Sequence, residues 1–224
     1  MTVIVISDNT TGADFSGLFA VEARESSSTT NYYSGGFIGR GVEIQSYGSG
    51  DRDHGFYFPT GISNVPSGAT VSSAILSIYV TEASAPVSTF DIVGRRLLRD
   101  AVYSTLTWDD YDTSLAWGTP GALNATDRNS TILCTATITN GMSPAYVDFT
   151  DDALTAWVQA IVDGTYTNQG IVIECASDTA YDGRYLFSSD NTQTDGQRPK
   201  LTITYTTGGG VVIPVFMNQY RQRR

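Results

Sequence analysis

The sequence predicts an all-β protein with one short helix, and its composition and hydrophobic spacing support this prediction. The chain of 224 residues contains 29 Thr and 22 Ser, but only one Lys, and 5 Glu against 18 Asp. Lys and Glu are common on the exposed surfaces of helices, whereas Thr is favoured in strands and Asp in turns. The balance therefore excludes a helical bundle, a coiled coil and a βαβ repeat. The net charge of -10 also disfavours nucleic acid as a partner, because phosphate would be repelled.

Strands are predicted along the whole chain, and the clearest one lies at residues 74–80. Apolar side chains recur there at every second position from Ala74 to Val80, as in a strand with one buried face. Shorter apolar or aromatic runs between turn residues predict further strands at 2–6, 19–24, 36–46, 54–58, 90–98, 132–139, 145–149, 171–175, 184–187 and 201–205. A polar loop is expected at 25–34, and a long aromatic loop through Trp108 and Trp117.

One helix is predicted at residues 151–162. Apolar side chains at 154, 157, 158 and 161 have the spacing of a single buried helix face. Thr150 is the expected N-cap, and Gly164 can close the C-terminal end. A single helix among many strands predicts a jelly-roll-like β-sandwich in which the helix caps one open end of the core. The predicted domains are an N-terminal arm (1–16), the sandwich (17–205), a glycine linker (206–210) and an apolar, then basic, tail (211–224).

Several short motifs occur in an order that resembles a known domain family. They are TNYY (30–33), VPSGATVSSAILSIYV (65–80), TLTWDD (105–110), DFT (148–150), NQGIVI (168–173), LFSSD (186–190) and RPKLTITY (198–205). This succession resembles the DNRLRE-type β-sandwich domain, a relative of carbohydrate-binding modules, over residues 17–205. The resemblance implies a jelly roll that binds or displays and has no catalysis of its own. Such domains occur in secreted bacterial and archaeal proteins and in phage structural proteins.

Catalytic chemistry has little support in the sequence. His54 is the one histidine, so a serine or cysteine nucleophile would depend on it, and its place in DRDHGFYF predicts a surface or strand-edge position. The many Asp residues occur in turns, where they usually serve the backbone. We therefore expect that the protein is not an enzyme. The large aromatic side chains of Trp108, Trp117, Trp157 and Phe187 are expected to hold the fold.

The cysteines predict buried side chains, and the acidic residues are the candidates for a metal site. Cys134 and Cys175 each lie in an apolar run, which predicts two small buried side chains, with a disulfide between neighbouring strands as the alternative. One His and two distant Cys do not make a zinc site. No cofactor is expected beyond a structural calcium, for which clustered oxygens are required. The first candidates for that ion are Asp109, Asp110 and Asp112, followed by Asp51 with Asp53 and by Asp190, Asn191 and Asp195.

A sugar-binding surface would need exposed aromatic faces beside polar groups. The candidates of this kind are Tyr103, Tyr111, Tyr181, Asp182, Arg184 and Tyr185. Because Tyr is common in strands, packing within the fold is the alternative role of these tyrosines.

The last residues differ in character from the acidic body. After the glycine linker comes an apolar run and then a basic end. Such a tail fits an arm that docks on another subunit by adding a strand or by filling a groove, while its arginines contact an acidic surface. A disordered end is the alternative. The docking residues would be Val211, Val212, Ile213, Pro214, Val215, Phe216, Tyr220, Arg221, Arg223 and Arg224.

Two functions follow from these expectations. The first is a non-enzymatic virion protein made in a host cytoplasm, namely a phage capsid-decoration or accessory surface protein that docks through its termini on other virion proteins. Residues 1–6 contain no recognisable export signal, which favours this hypothesis. The alternative is a carbohydrate-binding module or adhesin that recognises cell-surface or secreted polysaccharide outside the cell. No membrane partner is expected, because no apolar run is long enough to span a bilayer, and either function is compatible with a homo-oligomer.

Overall fold

The structure is a computed structural model that describes residues 1–7, 17–33, 42–46, 51–84, 88–177, 184–187 and 197–208, with the backbone alone for 184–187. It confirms the predicted all-β sandwich with one short helix. The helix is α1 (Asp152–Val162). The strands are β1 (Thr2–Ser7), β2 (Leu18–Arg24), β3 (Val42–Ser46), β4 (Arg52–Pro59), β5 (Ala69–Ser84), β6 (Thr89–Leu97), β7 (Asp110–Asp112), β8 (Leu115–Ala116), β9 (Arg128–Thr139), β10 (Ala145–Phe149), β11 (Ile171–Cys175), β12 (Arg184–Phe187) and β13 (Lys200–Thr207).

The longer strands form one antiparallel path in the order β1-β13-β5-β12-β3-β4-β11-β6-β9, with β10 beside β5 and β2 beside β4. The 16-residue β5 reaches three partners, because β13 pairs with its first half, β10 with its middle and β12 with its end. The path folds back on itself, so that Ile4 and Ile6 of β1 share one core with Ile92 of β6. As the alternation predicted, Ala74, Leu76, Ile78 and Val80 of β5 point into that core.

Helix α1 covers the core between β5 and β9. Its buried side chains are those of Leu154, Trp157, Val158 and Val162. The amide of Gln159 fixes the helix to β5, since its Oε1 accepts from Val71 N at 2.6 Å and its Nε2 donates to Ala69 O at 3.0 Å. The predicted cap at Thr150 is wrong by one residue. Asp151 caps α1 by accepting from Ala153 N at 2.8 Å, because its extended backbone turns the carboxylate toward the free N–H groups.

The outer face of β2, β4 and β11 carries a second apolar cluster, here called the outer cluster. It is covered by the loop between β6 and β9, which packs Trp108 and Trp117 onto Phe56 and its neighbours. This confirms that both tryptophans hold the fold, as does the fully buried Trp157. The members of the outer cluster are Val21, Ala23, Phe56, Phe58, Leu97, Leu106, Trp108, Trp117, Ala122 and Val172.

The covering loop is more ordered than the sequence predicted. It contains the small hairpin of β7 and β8, which was not predicted because its strands have only two or three residues. Asp127 holds the loop from beneath, with Oδ1 accepting from Gly118 N at 3.0 Å and Oδ2 from Thr119 N at 3.1 Å. Arg99 adds an ion pair of 3.1 Å to the same carboxylate. Within the described part of the chain, no helix combines the length and the hydrophobicity needed to cross a bilayer.

Candidate functional site

Three buried carboxylates meet where β2, β3 and β4 adjoin, and we call Glu22, Glu43 and Asp53 the acidic cluster. One oxygen of each lies within 4.8 Å of the others. Glu22 and Arg24 lie on one face of β2, and Arg24 is directly opposite Asp53 in the β2–β4 ladder. Glu22 Oε2 also accepts from Glu43 N at 3.0 Å, which ties β2 to β3. The backbone of three strands therefore fixes the cluster.

Within the acidic cluster, Asp53 differs from the two glutamates in its hydrogen bonds. Arg24 forms ion pairs with Glu22 and, at 3.2 Å, with Glu43. Asp53 is fully buried, and neither of its oxygens has a hydrogen-bond partner in the described structure. Burial, reinforced by the charge of Glu22, raises the pKa of Asp53 to about 8. Burial likewise raises the pKa of Glu22, against the opposing effect of Arg24. An arrangement of this kind requires a proton or a cation at Asp53.

His54 lies on the opposite face of β4, and its predicted surface or strand-edge position is wrong. Its side chain is 2% exposed, because β4 runs between β2 and β11 and the covering loop closes over it. The ring packs against Trp108, and Nδ1 lies 2.9 Å from Gly121 O. Burial, with the nearby charge of Arg128, lowers the pKa of His54 to about 3. The imidazole is therefore neutral at physiological pH, and a proton on Nδ1 donates to the Gly121 carbonyl.

Glu174 shows how this fold neutralises a buried carboxylate. Its side chain is 5% exposed and lies on β11, with Nε2 of His54 at 3.7 Å. Arg95 Nε donates to its Oε1 at 2.8 Å, and Arg128 donates to its Oε2. Two guanidinium groups thus contact the one carboxylate of Glu174. In the acidic cluster, by contrast, three carboxylates surround the guanidinium of Arg24.

The described tyrosines proposed for sugar binding are packed in the covering loop. Tyr103 stacks on Phe19 at 4.7 Å and meets the edge of Tyr33 at 4.8 Å. The ring of Tyr111 packs against that of Trp117, with the ring centres 5.5 Å apart, and the guanidinium of Arg99 lies over the Tyr111 ring. Both tyrosines are half-buried, so each has a packing role.

The other proposed sugar-binding residues are described incompletely or not at all. Arg184 and Tyr185 belong to β12, between β3 and β5, where only the backbone is described. Tyr181 and Asp182 lie outside the described residues, as do Asp190, Asn191, Asp195 and the docking tail at 211–224. Phe187 is likewise described only by its backbone.

The aspartates first proposed for calcium are not gathered into a site. Asp112 accepts from Thr105 Oγ1 and from Thr113 N, both at 2.7 Å, and the bond from Thr105 is the main cause of its lowered pKa. Asp109 and Asp110 contribute backbone hydrogen bonds within the loop. Among the described residues, the acidic cluster is the group whose carboxylates converge.

Sequence reasoning paired Asp53 with Asp51 and missed its closer partners, Glu22 and Glu43. Asp51 instead accepts from Gln45 Nε2 at 3.1 Å. A signal for Glu22 was present, because it continues the inward-facing positions of Leu18 and Ala20 on β2. A charged residue at an inward position of a strand requires a partner.

Cys134 and Cys175 are buried thiols that form no disulfide, so the predicted small buried side chains are confirmed and the alternative of a disulfide is wrong. Burial raises the pKa of Cys134 to about 12, which keeps it in the unreactive thiol form.

The chain matches no protein-family model and no curated protein sequence.

Proposed function

We propose that this chain is a non-enzymatic structural protein of a bacteriophage particle, a capsid-decoration or accessory surface protein that docks through its two ends. The observation that carries this proposal is the pairing of β1 with β13, in which Thr2 lies opposite Tyr205. The first strand and the strand that leads into the tail therefore leave the sandwich side by side. The phage setting rests on the resemblance of the ordered motifs and on the Thr- and Ser-rich composition.

The start of β1 has the properties of a docking surface. Met1 is 88% exposed and Val3 is 54% exposed, although Ile4 and Ile6 of the same strand are buried. β1 is also the terminal strand of the sheet path. Terminal strands can extend a sheet by pairing with a strand of another chain, and apolar side chains there strengthen the contact. This end of the sandwich therefore favours association.

The last described residues lie beside this surface. β13 ends at Thr207, and a side chain at Gly208 would meet open space. In the sequence, the apolar residues of 211–216 and the arginines follow this end of β13. Two adjacent segments that bind the same partner reinforce each other, because the second contact becomes intramolecular.

Several features support a role without catalysis. His54 is buried and neutral, so it is a poor general base at physiological pH. Cys134 is a buried thiol with a raised pKa. The carboxylates of the acidic cluster are at most 5% exposed, which keeps a substrate from reaching them.

The test is incorporation into particles of the parent phage. Two variants are compared with the unsubstituted chain, namely the chain lacking residues 208–224 and Val3→Asp. We expect each variant to fold, as shown by a cooperative thermal transition. Each should be incorporated into particles at least about tenfold less. Leu115→Asp is the matched control, because Leu115 is 47% exposed but lies on β8 in the covering loop. Unchanged incorporation of both the truncated chain and Val3→Asp would overturn the proposal.

Carbohydrate binding is the second candidate, favoured by a cavity of about 200 Å³ beside Tyr103. Asp100, Asn168 and Gln169 line it with polar groups, and the buried Oδ1 of Asn168 has no hydrogen-bond partner in the described structure. A sugar hydroxyl would satisfy that oxygen. Titration with neutral and acidic polysaccharides tests this candidate. Binding that Tyr103→Ala abolishes and Tyr166→Ala preserves would support it, whereas no binding at millimolar sugar would contradict it.

A further inference from the structure

The acidic cluster brings together carboxylates from three successive strands. Glu22 lies on β2, Glu43 on β3 and Asp53 on β4, and their side chains are 5%, 3% and 0% exposed. A divalent ion with ligands at about 2.3–2.6 Å can join two oxygens that are up to about 5 Å apart. The mutual limit of 4.8 Å among the three carboxylate oxygens meets that condition.

Asp53 provides a second, independent indication that a ligand binds in the acidic cluster. It is fully buried, its oxygens have no hydrogen-bond partner in the described structure, and it lies within the group formed by Glu22 and Glu43. Arg24 is directly opposite, but its guanidinium contacts the two glutamates. An ionised carboxylate without partners is costly to bury, so this side chain requires a partner that the described part of the polypeptide does not supply.

The acidic cluster is negatively charged. When the three carboxylates are ionised, they and the guanidinium of Arg24 together carry a charge of -2. A cation between the carboxylates is therefore attracted to this site. Glu174 differs, because Arg95 and Arg128 both form ion pairs with its one carboxylate.

We propose that Glu22, Glu43 and Asp53 bind one calcium ion between β2, β3 and β4. The donors are all oxygens, which suits a hard cation, and the group contains neither the thiolate nor the imidazole that zinc prefers. Calcium fits better than magnesium, because magnesium normally retains several waters and these carboxylates are almost fully buried. The ion would fasten β2, β3 and β4 together at the point where they adjoin.

The experiment uses the full chain after treatment with a chelator. Titration with CaCl2 is expected to show one ion bound per chain. The melting temperature should rise by about 5–10 °C at free calcium about 100-fold above Kd. ZnCl2 and MgCl2 are titrated in parallel and are expected to bind more weakly. The proposal would be overturned if calcium gave neither a heat of binding in the titration nor a rise in melting temperature. It would also be overturned if zinc bound more tightly than calcium.

Asp53→Asn keeps the test independent of folding. This variant removes the unpartnered charge, so in chelator it should melt at or above the temperature of the unsubstituted chain. It should also bind calcium at least about 100-fold more weakly and show no calcium-dependent shift. Asp109→Asn is the matched control and should bind calcium normally. Wild-type affinity in Asp53→Asn, or loss of binding in Asp109→Asn, would contradict the assignment.

Discussion

Arg24 lies directly across the β2–β4 ladder from Asp53, and yet no hydrogen bond joins the two side chains. The guanidinium instead contacts Glu22 and Glu43, and it also lies 4.8 Å from the ring centre of Tyr32. Arg24 thus contacts the two glutamates, whereas the carboxylate of Asp53 has no hydrogen-bond partner among the described residues. This relationship underlies both the stability of the β2–β3–β4 junction and the proposed calcium site.

Arg24→Gln is expected to destabilise the protein strongly. It leaves three buried carboxylates without the guanidinium, and removal of one partner from a buried ion pair costs about 3–5 kcal/mol. Arg96→Gln is the control, because Arg96 stacks on the exposed ring of Tyr166 and its loss should cost about 1 kcal/mol or less. Urea denaturation in chelator measures both. Equal losses in the two variants would show that the acidic cluster does not depend on Arg24.

Gly121→Ala is expected to disturb the covering loop. Gly121 has a φ of +76°, and an added Cβ would lie 2.6 Å from the ring of Trp108. Gly141→Ala is the matched control, because Gly141 has a φ of +69° but would place its Cβ in open space. The backbone strain of about 1 kcal/mol is common to both variants, and overpacking adds about 1–3 kcal/mol at Gly121 alone. Denaturation midpoints that coincide would contradict the packing of Trp108 on Gly121.

Asp127→Ala is expected to loosen the same loop from the other side. The change removes the acceptor of Gly118 N and Thr119 N and leaves Arg99 without its buried partner. The expected loss is about 3 kcal/mol, since hydrogen bonds to a charged group are lost together. The near-ultraviolet circular dichroism of Trp117 should weaken as well. Asp91→Ala, which removes an exposed contact with Thr137, should change stability by less than about 0.5 kcal/mol.

The two cysteines should react with a thiol reagent only when the protein unfolds. Cys134 and Cys175 are buried and form no disulfide, and burial raises the pKa of Cys134 to about 12. We expect no labelling of the native protein at mildly alkaline pH and two labelled thiols per chain in guanidinium chloride. Rapid labelling of the native state, or the absence of labelling after denaturation without reductant, would be inconsistent with buried free thiols.

The fold was predictable where a local pattern determines the structure. The alternation in β5 and the apolar stripe of α1 follow from the period of a strand and of a helix, and both were recognised. The β7–β8 hairpin escaped prediction because two or three residues carry no period.

The candidate site is less predictable, because its residues meet only through the pairing of strands. The sequence places Asp53 near Asp51, but Glu22 and Glu43 join it through β2 and β3. The burial of His54 is not predictable, because the sequence does not show that the covering loop lies over β4. Local reasoning identifies strands, whereas the contacts across their faces depend on the topology.

Amide hydrogen exchange, compared between the particle-bound and the free protein, determines whether the chain attaches through its two ends. We expect slower exchange on binding in Met1–Val3, at the end of β13 and in residues 208–224. The covering loop around Trp108 and Trp117 should exchange at the same rate in both states. Protection confined to that loop, with unchanged exchange in both ends of the chain, would contradict attachment through the termini.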